Sequence, residues 1–344
     1  MMKNKYMMLL AVMALCFAAC NYDEDELEPS QVLTSYQLPQ GNHDYDQTIL
    51  DFYKNYGVYL LYDFSDKDAY WYVSGWRMFD ENEKFTSAVA GGNYICKPSD
   101  QNYVKQQMAL LDEVWFSKMT EKGKKALLPT KILLCSEVDS CYVTAQYNYI
   151  WTPVFSYTVD YIVHKDEVRA WYNFDHICVG WGNSDITQMT AADKHAFAAK
   201  LFHVWPEYIA ERKAGPSEEF TASIDYANLG NVSNIVNCCA AGILSDSYNC
   251  TPESDWRKFI IGMLLFSEDW LCDETTPAPG QYDGWTNFAY ASYGSYYIHE
   301  AADYRGLLSS VKDTNGILKR RYQIVRQYFI DNYGMDLQAI GNQN

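Results

Sequence analysis

The chain has 344 residues, 48% of them hydrophobic and 21% charged, with 27 Lys and Arg set against 44 Asp and Glu. A chain of this size buries a large core without cross-links. Its net charge of −17 repels nucleic acid and anionic lipid headgroups, which argues against both as partners.

Lys3 and Lys5 precede the apolar run MMLLAVMALCFAA, which ends at Ala19. The run is too short to cross a bilayer as a mature helix and has the layout of a secretory signal. It closes on FAAC, which resembles a bacterial lipobox, with two small residues ahead of a Cys20 that would be lipidated and become the new amino terminus. Phe17 departs from the Leu, Val or Ile usual in such motifs, and Cys16 lacks the small residues that precede Cys20. The acidic run Asp23 to Glu26 resembles the surface-export signal of some Gram-negative lipoproteins. These features lead us to expect a signal peptide over residues 1–19, a lipid on Cys20 and a surface-exposed position on the outer membrane. Loss of residues 1–19 leaves 25 Lys and Arg against 44 Asp and Glu, a net charge of −19.

Residues 20–40 are acidic and lack periodic apolar positions, as expected of a tether. From residue 41 onward the pattern is globular. Ile49, Phe52 and Tyr53 share a helix face that ends near Gly57. VYLLYDF and DAYWYVSGW then read as strands. Val104, Met108, Leu111, Val114 and Trp115 fall at helical spacing. TKILLCSEV, DSCYVTAQYNYIW and EVRAWYNFDHICVGW are rich in aromatic and β-branched residues and read as strands. Beyond residue 190 the character changes. Thr190 to Arg212 is one long helical pattern opened by Thr190 and Asp193 in capping-box spacing, with Pro206 inside it as a source of a kink. SDWRKFIIGMLLF is a second apolar helix, and NGILKRRYQIVRQYFIDNYGMDL a third that stops at Gly334. No internal repeat or low-complexity segment interrupts the order. Sheet first and helices later predicts an α+β fold: a sheet-containing part over 41–189 and a mainly helical part over 190–344.

Eight of the ten cysteines lie beyond Cys16 and Cys20, in a compartment that permits disulfides. One or two structural bridges are expected, with pairing undetermined. Cys135 and Cys141 lie close together, as do Cys238, Cys239, Cys250 and Cys272, but none of these spacings is that of a zinc ribbon or a C-x-x-C redox motif. A G-x-S-x-G elbow is missing, and AGG at Ala90 to Gly92 lacks the ending of a phosphate loop. His176 sits in a strand-like segment, where the alternation of side chains directs Asp175 to the opposite face. His195, two turns before His203, is too far from it to share an ion. The aromatic clusters YWYVSGW (70–76) and YASYGSYY (290–297) offer ring faces for sugars, although alternation turns at least half of the first inward.

The remaining chemistry centres on LFHVWPEYIAER, Leu201 to Arg212. Two zinc-binding histidines four apart share a helix face, and the glutamate of H-E-x-x-H takes a proton from metal-bound water. Together with FYKNYGVYLLYDF, LLDEVWFSKM, LPTKILLCSEV, FAYASYGSYYIHEAADY and IVRQYFIDNYGMDL, this segment resembles the zinc-binding metallopeptidase lipoproteins encoded in outer-membrane glycan-uptake loci. The resemblance spans almost all of residues 45–340 and implies a zincin-like fold. It also implies that His203 matches the first histidine ligand, Val204 replaces the general base, Glu207 replaces the second histidine and Glu300 falls near the downstream acidic ligand.

Imidazole and carboxylate both bind zinc, so a residual site at His203, Glu207 and Glu300 is admissible, but valine accepts no proton. Three readings of His203 stand: a histidine at the edge of a packed helix, a non-catalytic metal ligand, and a member of a hydrolase that uses another base. The expectation is a peptidase-like protein without peptidase chemistry and without a required cofactor, serving as a binding or accessory component of a glycan- or peptide-uptake system. An active zinc peptidase with a non-standard ligand set, or a structural or adhesion lipoprotein, are the alternatives.

Overall fold

The computed structural model describes residues 36–70, 78–230, 232, 235–244, 250–278 and 301–343. The chain divides into Met1–Leu38 and Pro39–Asn344, and the described helices and strands belong to the second unit. The leader, Cys20, the core of the 70–76 cluster, the 290–297 cluster and Glu300 lie outside the described residues.

Helix α1 (Asp46–Tyr56) ends where Gly57, at φ 71°, turns its N–H back to the Tyr53 carbonyl, at the stop the sequence indicates. Strand β1 (Tyr59–Leu61) follows. The DAYWYVSGW expectation needs correction at its start, because Asp68 and Ala69 belong to a short helix α2 (Asp66–Ala69). Ser65 and Asp68 form a reciprocal capping box there, and that local bonding outweighs the strand pattern. Next come β2 (Val89–Pro98), α3 (Val104–Val114) with a 3₁₀ turn behind it, and α4 (Glu121–Leu127). The two strand segments TKILLCSEV and DSCYVTAQYNYIW are one strand, β3 (Lys131–Ile150). It is followed by β4 (Ser156–Glu167), β5 (Ala170–Tyr172) and β6 (His176–Val179).

Strand β3 joins two parts of one six-stranded sheet. Its first residues lie between β1 and β6, parallel to both, with Ile132 opposite Leu60 on one side and Ile177 on the other. Its remainder is antiparallel to β2 and to β4. Strand β5 closes the order β1-β3-β6-β5 as an antiparallel neighbour of β6. Both faces of the parallel part are covered, which is why Leu60, Leu61, Ile132, Leu133, Ile177 and Val179 are all buried.

The described residues of the second half form helices: α5 (Ala191–Arg212), α6 (Glu218–Ala222), α7 (Ile235–Ala241), α8 (Pro252–Leu265), α9 (Glu268–Leu271), α10 (Ala301–Tyr304), α11 (Ile317–Tyr333) and α12 (Leu337–Gly341). The α+β class agrees with the sequence reading, and the sheet is mixed. Thr190 accepts the Asp193 N–H at 3.2 Å while Asp193 accepts the Thr190 N–H at 2.8 Å, so α5 starts at the expected capping box. It continues through Pro206 to Arg212.

Arg321 of α11 and Asp255 of α8 form an ion pair at 2.8 Å with neither side chain exposed. Ser223 and the Tyr226 hydroxyl also bond the guanidinium, and Asp255 accepts the Leu244 N–H at 2.7 Å. Here the helical half is tied together by polar contacts inside an apolar shell.

The expected disulfides need correction. Cys96, Cys135, Cys141, Cys178, Cys239, Cys250 and Cys272 all carry free thiols. Cys135 and Cys141 are six positions apart on one extended strand, which separates them by roughly 20 Å, far beyond bridging distance.

Candidate functional site: a cleft between strand β5 and helix α5

Helix α5 packs against β5 on one side and α8 on the other. It is held by buried Leu201, Phe202, Trp205, Tyr208 and Ile209. The Trp205 indole donates to the Leu127 carbonyl at 3.1 Å and meets Trp115 edge to face at 5.7 Å. With that face anchored, the turn bearing Lys200, His203 and Glu207 faces a cleft of about 640 Å³. Trp171 and Tyr172 of β5, with Tyr94 of β2, line the opposite wall. The Tyr94 and Trp171 rings stack at 4.1 Å.

The structure therefore brings His203, Val204 and Glu207 to one cleft, as their helical spacing requires. Val204 is 7% exposed, an aliphatic group at the position the resemblance gives to a proton acceptor. His203 opens to solvent at the cleft mouth, yet burial by the cleft walls, reinforced by the Lys200 charge one turn earlier, pulls its imidazole below the usual 6.5. Burial also lowers the Lys200 ammonium. Glu207 is half-buried, and burial raises its carboxyl, opposed by the Arg257 guanidinium that donates to Glu207 Oε2 from α8. The Tyr172 hydroxyl donates to Glu211 at 3.1 Å, and burial next to Glu207 and Glu211 pushes it far above the tyrosine range, so it remains a donor.

Zinc fits this donor set poorly. One of the two described candidate donors is already bonded by a guanidinium, and an ammonium stands beside the other. A dication there meets two fixed positive charges before a third ligand is counted. The cleft offers an imidazole, an ammonium, a phenol and stacked rings, groups that can bind and orient a polar or planar ligand.

His195 is exposed on α5 and does not line the cleft. His176 corrects the sequence reading. Its Nδ1 lies 2.9 Å from Asp175 Oδ1, whereas alternation placed the carboxylate on the opposite face. Asp175 precedes β6 in a bend, so strand alternation does not govern it. The contact is structural, because His176 is fully buried, its Nε2 meets the Ala69 carbonyl at 3.1 Å, and Asp175 also pairs with Lys131 at 3.0 Å. Sequence reasoning missed Lys200, Arg257, Tyr94 and Trp171. Lys200 was available from its three-residue spacing to His203, but nothing local marks Arg257, 50 positions from its partner.

No family model and no curated protein matches this chain. Among solved structures, a "putative zinc-binding metallo-peptidase" from Bacteroides caccae aligns with a TM-score of 0.39 and 11% identity, over 86% of this chain and 88% of the other. Similarity of that degree assigns no residue a role, so the roles of Lys200, His203, Val204 and Glu207 rest on this chain's own geometry.

Proposed function

We propose that this chain is a zincin-like, lipid-anchored outer-membrane protein that has lost peptidase chemistry. It uses the β5–α5 cleft to bind a ligand as an accessory component of a glycan- or peptide-uptake system. The observation that carries the reading is Val204, an apolar side chain only 7% exposed at the position that the resemblance assigns to the proton acceptor. Loss of a general base costs about 10²–10⁴-fold in rate. The Arg257–Glu207 pair adds to it by occupying the carboxylate that stands in for the second histidine. Neutral His203, Lys200 and the Trp171 ring suit polar and stacking contacts with a peptide or sugar.

The anchor reading rests on FAAC and the signal that precedes it, and the uptake role rests on family resemblance alone. Acyl labelling at Cys20, lost in Cys20→Ser together with membrane retention, tests the anchor. Incubation of the purified protein with peptide libraries and zinc tests the chemistry. No cleavage is expected; zinc-dependent cleavage abolished by His203→Ala would overturn the reading in favour of an active peptidase.

A further inference from the structure

Eight of the large hydrophobic side chains left exposed by the described residues lie on the β3–β4 hairpin: Tyr147, Tyr149, Ile150, Trp151, Val154, Phe155, Tyr157 and Ile162. Pairing with β2 stops at Val143, so beyond it β3 and β4 continue as a two-stranded ribbon, with Tyr149 opposite Tyr157 and Tyr147 opposite Val159. None of residues 144–167 is buried. A ribbon of two strands is marginal in water, and one that leaves this much aromatic surface in solvent calls for something to receive it.

We infer that the tip of this ribbon inserts into the interface of a lipid bilayer. Polarity changes along the ribbon axis. At the end stand Ile150, Trp151, Val154 and Phe155, with Trp151 and Val154 each 74% exposed. Ile150 lies on one face, opposite Ser156, and the aromatic rings on the other, so both faces of the tip carry apolar groups. One layer back come the phenols of Tyr147, Tyr149 and Tyr157, with Asn148 and Thr158 on the other face. From Tyr147 to Val159 none of the thirteen residues is charged. Charges resume at Asp160, which Asn148 bonds at 2.7 Å, and continue through Lys165, Asp166 and Glu167.

Apolar groups at the end, tyrosine hydroxyls next and charges behind match the order of acyl boundary, headgroup layer and water. The tyrosine layer lies roughly 10 Å from the tip, the depth at which interfacial segments sit. A protein-docking patch would instead be ringed by polar groups, whereas polarity here rises in one direction only. The aliphatic Ile150 and Val154 give a sugar ring nothing to stack on. The uncharged tip also escapes the repulsion that the acidic body meets at a headgroup layer. The inference goes beyond the cleft reading and depends neither on the cleft nor on acylation of Cys20.

The test uses the chain from residue 20 with Cys20→Ser, so that no acyl chain contributes, mixed with phosphatidylcholine vesicles at millimolar lipid. The protein is expected to sediment with the vesicles, and its tryptophan fluorescence to be quenched by bilayer-brominated lipid. Trp151→Ser with Phe155→Ser should weaken partitioning by at least about tenfold and remove that quenching, because two interfacial aromatic groups are lost. Circular dichroism should be unchanged, since neither side chain is buried. Absence of vesicle binding, or equal binding by the double variant, overturns the inference. So does a dimer in sedimentation velocity, or retention on a soluble oligosaccharide, that the double variant loses while vesicle binding is absent. Failure of acyl labelling at Cys20 would sink the anchor and leave this result standing.

Discussion

Arg257 of α8 donates to the carboxylate of Glu207 on α5, joining the two helices at the edge of the cleft. The bond turns a residue with metal-binding chemistry into half of an ion pair. A half-buried carboxylate with a bonded guanidinium gains little by exchanging it for a hydrated dication.

Restoring a zinc site therefore takes more than restoring the motif. Val204→Glu with Glu207→His is expected to leave zinc sub-stoichiometric after dialysis, because Arg257 then stands unpaired beside the new ligands. Adding Arg257→Gln should raise retention towards one zinc per chain, read by metal analysis. Equal retention with and without Arg257→Gln would show that the guanidinium does not oppose the ion. Alone, Arg257→Gln should lower stability by about 1 kcal/mol, the pair being only partly shielded from solvent.

Burial and the neighbouring Lys200 hold the imidazole of His203 below its ordinary value of 6.5 in the folded state. The unfolded chain then binds the proton more readily, so stability from this group is present above pH 6.5 and lost as pH falls through the lower folded value. Glu207 works in the opposite sense. Burial raises its carboxyl above 4.5, so its contribution is present below that pH and lost as pH rises through the folded value. An NMR titration of His203 should give a midpoint below 6.5 that moves up in Lys200→Met without reaching the free value, since burial is the larger cause. A midpoint at or above 6.5 in the unmodified protein would contradict the described environment.

Arg321 and Asp255 are both fully buried and bonded to each other, and α6, α7 and α8 converge on them. Removing the cation by Arg321→Met strands a buried carboxylate, at a cost of about 3–5 kcal/mol in urea unfolding. Arg321→Met combined with Asp255→Leu should recover part of that loss, because an apolar pair needs no counter-ion. A double variant no more stable than the single one would mean that the Leu244 N–H bond to Asp255 dominates the site.

Gly334 ends α11 at φ 65°, with open space where a Cβ would stand, and its N–H returns to the Ile330 carbonyl. Gly334→Ala should therefore cost about 1 kcal/mol through backbone strain alone, and Gly334→Asn less, since Asn tolerates the left-handed region. Equal thermal midpoints for all three chains would show that the cap relaxes around any residue.

What the sequence determined by itself was local: the start of α5 at Thr190 and Asp193, the stop of α11 at Gly334, the shared helix face of His203 and Glu207, and the sheet-then-helix order. The first three depend on groups within about four residues of one another, so spacing alone carries the information. Only the tertiary structure decided that two strand patterns form one strand, that the cysteines of β3 stand too far apart to bridge, that Asp175 turns back onto His176, and that Arg257 reaches Glu207. Those outcomes follow from which segments pack together and how the chain bends between them, and periodicity holds no record of a partner fifty positions away.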